Sequence, residues 1–254
     1  MSATRRVEKF GNATLIMGDA YEERPLLGFR DAEFMDPPYK INTSGGGKMR
    51  KSRTYLNDLA DQGLADDFDH TIINSLMCGS AAVFCSNDQL PTLLPYLNGT
   101  FHRFALGFIA KRNPLPVANK SYLSDVEPVI RCWNPGYHPI GEIVDRRKGI
   151  ILDVDGYEDA EYVDNIAEES KVTPSKTFNH PTVKPLEIIR RVVRTINGSE
   201  IVDSFMGTGT TGVACIMEGK HFYGIEMNTA HFDTACRRIE QALKDKEAEE
   251  DQAA

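Results

Sequence analysis

Tryptophan is almost missing from these 254 residues, with Trp133 its one occurrence, and cysteine is sparse. Cys78, Cys85, Cys132, Cys215 and Cys236 are odd in number, widely spread, and form no CxxC pair. That argues against a disulfide framework or a structural zinc site and fits a reducing cytoplasm. No histidine spacing suggests a catalytic metal either. Long apolar runs are lacking too. The most apolar stretch, 72–85, is broken by Asn74, Ser75, Gly79 and Ser80, and is too short and too polar to span a bilayer. The start, MSATRRVEKFGNATLIMGD, carries no apolar segment of signal-peptide length, so a cytoplasmic location and no membrane partner are expected. Internal repeats are absent, and the only low-complexity stretch is the polar C-terminal tail.

Net positive charge is also lacking: 29 Lys and Arg stand against 37 Asp and Glu, for a net charge of -8. Taken whole, that balance disfavours a polyanionic partner. Its distribution does not. Residues 153–169 hold eight acids and no Lys or Arg, and 240–251 carry a net -4, so the remainder is +4. Residues 40–54 hold five basic side chains and no acid. Both acidic runs read as solvated faces.

What is present is the alternation of an α/β protein. Short apolar runs at 13–17, 32–35, 81–85, 104–109, 127–133, 200–205 and 221–226 are bounded by turn residues and read as strands. Helices are expected after Pro185, where Leu186, Ile189, Val192, Val193 and Ile196 recur at helical spacing; over 210–218, stopped by Gly219; and from about Ala230, burying Phe232, Cys236, Ile239 and Leu243. Residues 40–54 and 140–179 interrupt the rhythm, the second with a candidate hairpin at Asp155-Gly156.

Two motifs carry chemistry. Gly207, Gly209 and Gly212 match G-x-G-x-x-G between a strand and a helix, and Glu226 lies 19 residues beyond Gly207 at the end of the next strand. There a carboxylate can accept both ribose hydroxyls of a nucleoside cofactor. A dinucleotide and S-adenosylmethionine both satisfy that turn. The second motif is Asp36-Pro37-Pro38-Tyr39, placed where a strand runs out. Paired prolines fix φ and remove two N–H donors, leaving the Asp36 carboxylate and the Pro37 carbonyl as rigid acceptors beside the Tyr39 ring. Such an array suits an exocyclic amine on a planar ring. A plain proline turn is the structural alternative.

Together, Asp36-Pro37-Pro38-Tyr39 and Phe205-Met206-Gly207-Thr208-Gly209 resemble the amino-methyltransferases of DNA, in the order of the β group. His180-Pro181-Thr182-Val183-Lys184-Pro185 and Leu15-Ile16-Met17-Gly18-Asp19 resemble two further motifs of the same family. The resemblance implies a Rossmann-like fold with a mostly parallel seven-stranded sheet, helices on both faces and a circularly permuted motif order. It implies one catalytic domain from 1–139 and 180–245, a small inserted target-recognition region at 140–179, and a disordered acidic tail at 246–254. S-adenosylmethionine is the implied methyl donor and S-adenosylhomocysteine the product. The implied cofactor contacts are Asp19, Thr182, Lys184, Asp203, Phe205, Gly207, Thr208, Gly209, Thr210, Glu226 and Asn228, with Asp19 toward the adenine and Thr182 and Lys184 toward the methionine end. The implied reaction methylates an amine of a base flipped out of double-stranded DNA, with Asp36, Pro37, Pro38 and Tyr39 catalytic. Adenine N6 is favoured over cytosine N4, because cytosine-specific members more often carry Ser at the position of Asp36. Lys40, Lys48, Arg50, Lys51, Arg53, Lys111 and Arg112 are the expected DNA contacts. A homodimer and a separate restriction endonuclease stay open as partners, as do methylation of RNA or a protein amide, a nicotinamide-dependent oxidoreductase, and an inactive DNA-binding relative.

Overall fold

The computed structural model of the chain describes residues 5–38, 67–110, 125–151 and 184–253. Its strands are β1 (Arg6–Phe10), β2 (Ala13–Met17), β3 (Arg30–Met35), β4 (Cys78–Phe84), β5 (Arg103–Ala110), β6 (Val126–Trp133), β7 (Gly149–Ile151), β8 (Glu200–Asp203) and β9 (His221–Glu226). They form one sheet in the order β1-β2-β9-β8-β3-β4-β6-β5-β7. The inner seven are the strands expected from the apolar runs, and β1 and β7 extend the sheet by one strand at each edge. Neither edge strand announces itself in sequence: β1 is mostly exposed and β7 has only three residues.

From β2 through β9, β8 and β3 to β4 every pairing is parallel. β6 then runs antiparallel to both β4 and β5. Parallel strands need helical crossovers on the sheet faces, which is why β4 is buried along its whole length. Alternation sends Phe34, Ala82 and Phe84 to one face and Met35, Ala81 and Val83 to the other. The first face is covered by α3 (Leu186–Arg194), α4 (Thr210–Met217) and α5 (Thr229–Ala253). The second is covered by α1 (Ala20–Leu26) and α2 (Leu90–Thr100), through Ala20, Leu93 and Leu97.

Several strand ends shift by one or two residues from expectation, and three boundaries differ for an identifiable reason. β8 stops at Asp203 instead of running to Phe205, because the Asp203 carboxylate accepts the Phe205 N–H at 3.0 Å and turns the chain out of the sheet. β4 begins at Cys78, three residues early, where Gly79 and Ser80 lie buried in the ladder. The tail does not fray: α5 is helical to Ala253, with Gln241–Asp245 and Lys244–Glu240 contacts one turn apart along it. Within the 140–179 interruption, residues 140–151 are tied to the sheet and to α3. Ile140 N donates to Thr195 O, Asp145 accepts from Arg194, and β7 pairs with β5. The Asp155-Gly156 hairpin lies outside the described residues.

Candidate active site

Strands β8 and β3 are neighbours, yet the chain proceeds from β8 outward to β9 and from β3 outward to β4. Their carboxyl ends therefore bound the crevice in which open α/β sheets bind ligands. Asp36 follows β3 and Asp203 closes β8, with Phe34 in register with Asp203. β9 brings Glu226 to the same edge and β2 brings Asp19, since Met17 is in register with Glu226. Antiparallel β6 presents its first residues there as well, so Glu127 arrives beside the end of β4.

Asp36 is gripped by Lys184, whose Nζ lies 2.8 Å from each carboxylate oxygen. The same ammonium lies 2.9 Å from Glu127 Oε1 and 5.2 Å from the centre of the Phe84 ring. Burial by itself would lower the Lys184 pKa, but the Asp36 and Glu127 carboxylates outweigh it and hold the pKa above the ordinary lysine value. Pro37 is buried. The Pro38 carbonyl accepts a hydrogen bond from fully buried Gln89 (Nε2, 3.0 Å), which also binds Asp67 at 2.9 Å. Thus Gln89 fixes the backbone beyond the prolines.

The glycine turn is built as its pattern requires. Gly209 has φ +85°, and a Cβ there would lie 2.9 Å from the Ala235 Cβ of α5. At Gly212 a Cβ would run into Ile239 and Phe222. Arg238 of α5 clamps the turn from behind, donating to Thr208 O at 2.8 Å and to the Thr208 and Thr210 hydroxyls at 3.1 Å. Burial lowers its pKa to about 10. The Glu226 carboxylate accepts from Gly207 N at 2.8 Å and from Asn228 N at 2.6 Å, which locks β9 to the turn. Burial raises the Glu226 pKa against those bonds. Asp203 is buried as well, and burial lifts its pKa to about 8, against the Thr211 and Phe205 hydrogen bonds and with help from the nearby charges of Asp36 and Glu33.

Other expected site residues have identifiable local roles. Asp19 caps α1 through Tyr21 N at 2.8 Å, and Asn228 caps α5 through Ala230 N at 2.9 Å. Phe205 meets Tyr21 and Phe68 edge-on, with centroids 6.3 and 6.0 Å apart. Lys184, expected toward the methionine end, stands on Asp36. Tyr39, Lys40, Lys48, Arg50, Lys51, Arg53, Lys111, Arg112 and Thr182 lie outside the described residues.

Sequence reasoning missed Glu127, Gln89, Arg238 and the Arg24–Glu33 pair. In that pair Arg24 Nε is 2.6 Å from Glu33 Oε2, both side chains are buried, and the Ser204 hydroxyl also donates to Glu33. It ties α1, β3 and the start of the glycine turn together. Glu33, an acid among the apolar residues that end β3 (RDAEFM), was the available signal; Arg24 follows Glu22 and Glu23 in AYEERPL and gave none.

A family model described as DNA methylase, of the N6/N4 class, matches residues 78–237, well over half of the chain. The chain belongs to this DNA methylase family. Over 92% of its length the methylase is 24% identical to the DNA adenine methyltransferase YhdJ of Escherichia coli (strain K12), of which 85% is covered. Over 63 residues, 24% of each chain, it is 38% identical to the type II methyltransferase M2.DpnII of Streptococcus pneumoniae. Among solved structures, the M1.HpyAVI–SAM complex aligns with a TM-score of 0.58 at 20% identity, covering 89% of the methylase and 98% of that chain. The cytosine-N4-specific PvuII DNA methyltransferase aligns at 0.59 and 14% identity, covering 93% and 92%. These likenesses agree with the Rossmann-like α/β sheet seen here.

S-adenosylmethionine is the family's methyl donor, and the edge fits it. Gly209 lets the turn pack closely on α5 in a left-handed conformation, and Phe205 with Tyr21 places two aromatic rings at the same edge. The carboxylates of Asp19 and Glu226 suit ribose hydroxyls, and Asp203 adds a buried carboxyl able to hydrogen-bond at the same edge. Among the described residues no helix is long and apolar enough to cross a membrane, and no cluster of His, Cys, Asp and Glu could hold a metal ion.

Proposed function

We propose that this DNA methylase methylates the exocyclic N6 amine of adenine within a short site in double-stranded DNA, after flipping the base out of the helix. The observation that carries the reading is the position of Asp36. It stands immediately past β3, across the crevice from the β8 turn, with Lys184 against both carboxylate oxygens. Bound S-adenosylmethionine would supply an electrophilic methyl group on a positively charged sulfur. The protein's own work is to orient the nucleophile and to draw lone-pair density out of the aromatic ring. Asp36 and the Pro37 carbonyl do both by accepting the amine hydrogens, which favours a tetrahedral nitrogen. Because these acceptors are fixed in advance, they stabilise the positive charge developing on nitrogen without rearranging during the reaction. Tyr39 replaces part of the stacking that the flipped base loses, worth about 1–3 kcal/mol.

Adenine is supported by the aspartate at position 36 and by the name of the YhdJ relative. Cytosine N4 is the second reading, supported by the likeness to the PvuII enzyme. DNA as the bound polymer is supported by the layout of the chain. Pro38, Asp67, Ala110, Asp125, Ile151 and Lys184, which flank the segments outside the described residues, belong to strand ends and contacts on the carboxyl edge. The basic stretch 40–53 and Lys111, Arg112 and Lys120 thus join the chain at the face that holds Asp36, and so does the segment with the acidic 153–169 run, whose acids would have to face away from a bound duplex. Residues 140–179 are the proposed target-recognition region within a single catalytic domain.

Expression in methylation-free bacteria, followed by modification-sensitive sequencing of their DNA, tests the reading. A recurrent methyl-adenine site that disappears in Asp36→Ala is expected. Methyl-cytosine in its place would overturn the adenine assignment, and unmodified DNA from cells containing folded enzyme would overturn the function.

A further inference from the structure

Glu127 belongs to no motif, yet β6 delivers it into the charge cluster around Asp36. Its side chain is 8% exposed and that of Lys184 12%, so their 2.9 Å contact lies inside the crevice and not on its rim. One ammonium therefore serves two carboxylates from different elements, Asp36 after β3 and Glu127 on β6. Further titratable groups near Asp36 among the described residues include Asp203 at the end of β8 and Glu33 on β3, the latter answered by Arg24 of α1.

This arrangement sets two requirements against each other. Asp36 must turn an oxygen toward the incoming amine, but both its oxygens are held by a charged donor, and charge-assisted bonds are roughly twice as strong as neutral ones. Removing the ammonium altogether would leave Asp36, Glu127 and Asp203 as neighbouring acids in a site of low dielectric, where like charges favour protonation. A protonated Asp36 accepts poorly. A second carboxylate next to the ammonium meets both requirements.

We propose that Glu127 is a positioning residue for Asp36: by competing for the Lys184 ammonium it lets one of the two Asp36 oxygens that Lys184 holds here turn to the target amine when the base enters. Lys184 then stays close enough to keep Asp36 ionised without occupying both of its oxygens.

This deepens the methyl-transfer reading and rests on it. The test compares wild type, Glu127→Gln, Lys184→Gln and the double variant in steady-state DNA methylation over a range of pH, with thermal unfolding followed for each. In Glu127→Gln the ammonium loses the Glu127 carboxylate and keeps Asp36. The kcat plateau is expected to fall about tenfold or more, with KM for S-adenosylmethionine unchanged, while the acid limb of the kcat profile moves to lower pH. In Lys184→Gln the acid limb moves the other way, and adding Glu127→Gln to that background costs no further plateau. If Glu127→Gln does not fold, Glu127→Asp carries the test, since its shorter stem draws the carboxylate back from Lys184 without removing charge. A lower plateau and the same direction of shift are then expected.

Wild-type methylation together with an unchanged Glu127 variant, or an equal plateau loss in both Lys184 backgrounds, overturns the inference and leaves the methylation reading standing. Folded wild type that fails to methylate DNA overturns both.

Discussion

Replacing Asp36 with alanine removes both oxygens that Lys184 grips and, with them, the acceptor on which methyl transfer depends. Turnover should fall to background while S-adenosylmethionine binding, measured by calorimetry, persists, because the glycine turn and Glu226 are untouched. Tyr39→Phe should keep much of the activity and Tyr39→Ala should not, since stacking needs the ring and not the hydroxyl. Asp203 gives a pH signature. Burial lifts its folded pKa to about 8, above the 3.8 of a free aspartate, so the native state holds a proton that the unfolded chain has released. Its contribution to stability is therefore full below the unfolded value and is lost as pH rises toward 8, at on the order of 1 kcal/mol per pH unit. Asp203→Asn should flatten the fall in Tm between pH 6 and pH 8; an unchanged slope would assign that dependence to another group.

At the scale of elements, the site depends on how turns and helices are pinned. Gly209→Ala would place a side chain at φ +85° and against Ala235. The left-handed conformation costs about 1–2 kcal/mol, and crowding of α5 adds to it. Lower Tm and weaker cofactor binding should appear together, because the same turn serves both. Arg24→Ala strands the Glu33 carboxylate between β3 and α1, and breaking a buried pair costs about 3–5 kcal/mol. Arg24→Met with Glu33→Gln in one chain should recover much of that loss in a denaturant titration. The helices legible in sequence were those with a clean apolar stripe, such as α3 with Ile188, Ile189, Val192 and Val193. α1 and α2 carry an internal proline each, Pro25 and Pro95, and give no such signal.

For the whole molecule, the net charge of -8 masks a local division: the basic 40–54 segment follows Asp36 directly, whereas the acids concentrate in 153–169 and 240–251. DNA affinity should fall with salt along a straight log–log line, with a slope of roughly 0.9 per phosphate contact. Substituting Lys48, Arg50, Lys51 and Arg53 by alanine should flatten that line across DNA sequences, whereas a slope equal to wild type would exclude the 40–54 segment from phosphate contact. The inner seven strands, the glycine turn and the Asp36 motif were legible in the sequence alone, because apolar runs, left-handed glycines and paired prolines are local constraints that each stretch of chain states for itself. Only the tertiary structure joined Lys184 to Asp36 across 148 residues and brought Glu127 to the same ammonium, and only it set Gln89 behind Pro38 and Arg238 behind the turn. Those partners meet because antiparallel β6 and the crossover helices return distant segments to one sheet edge. A buried charge is stable there only where the fold supplies its counterpart, and that pairing is written in no single stretch of sequence.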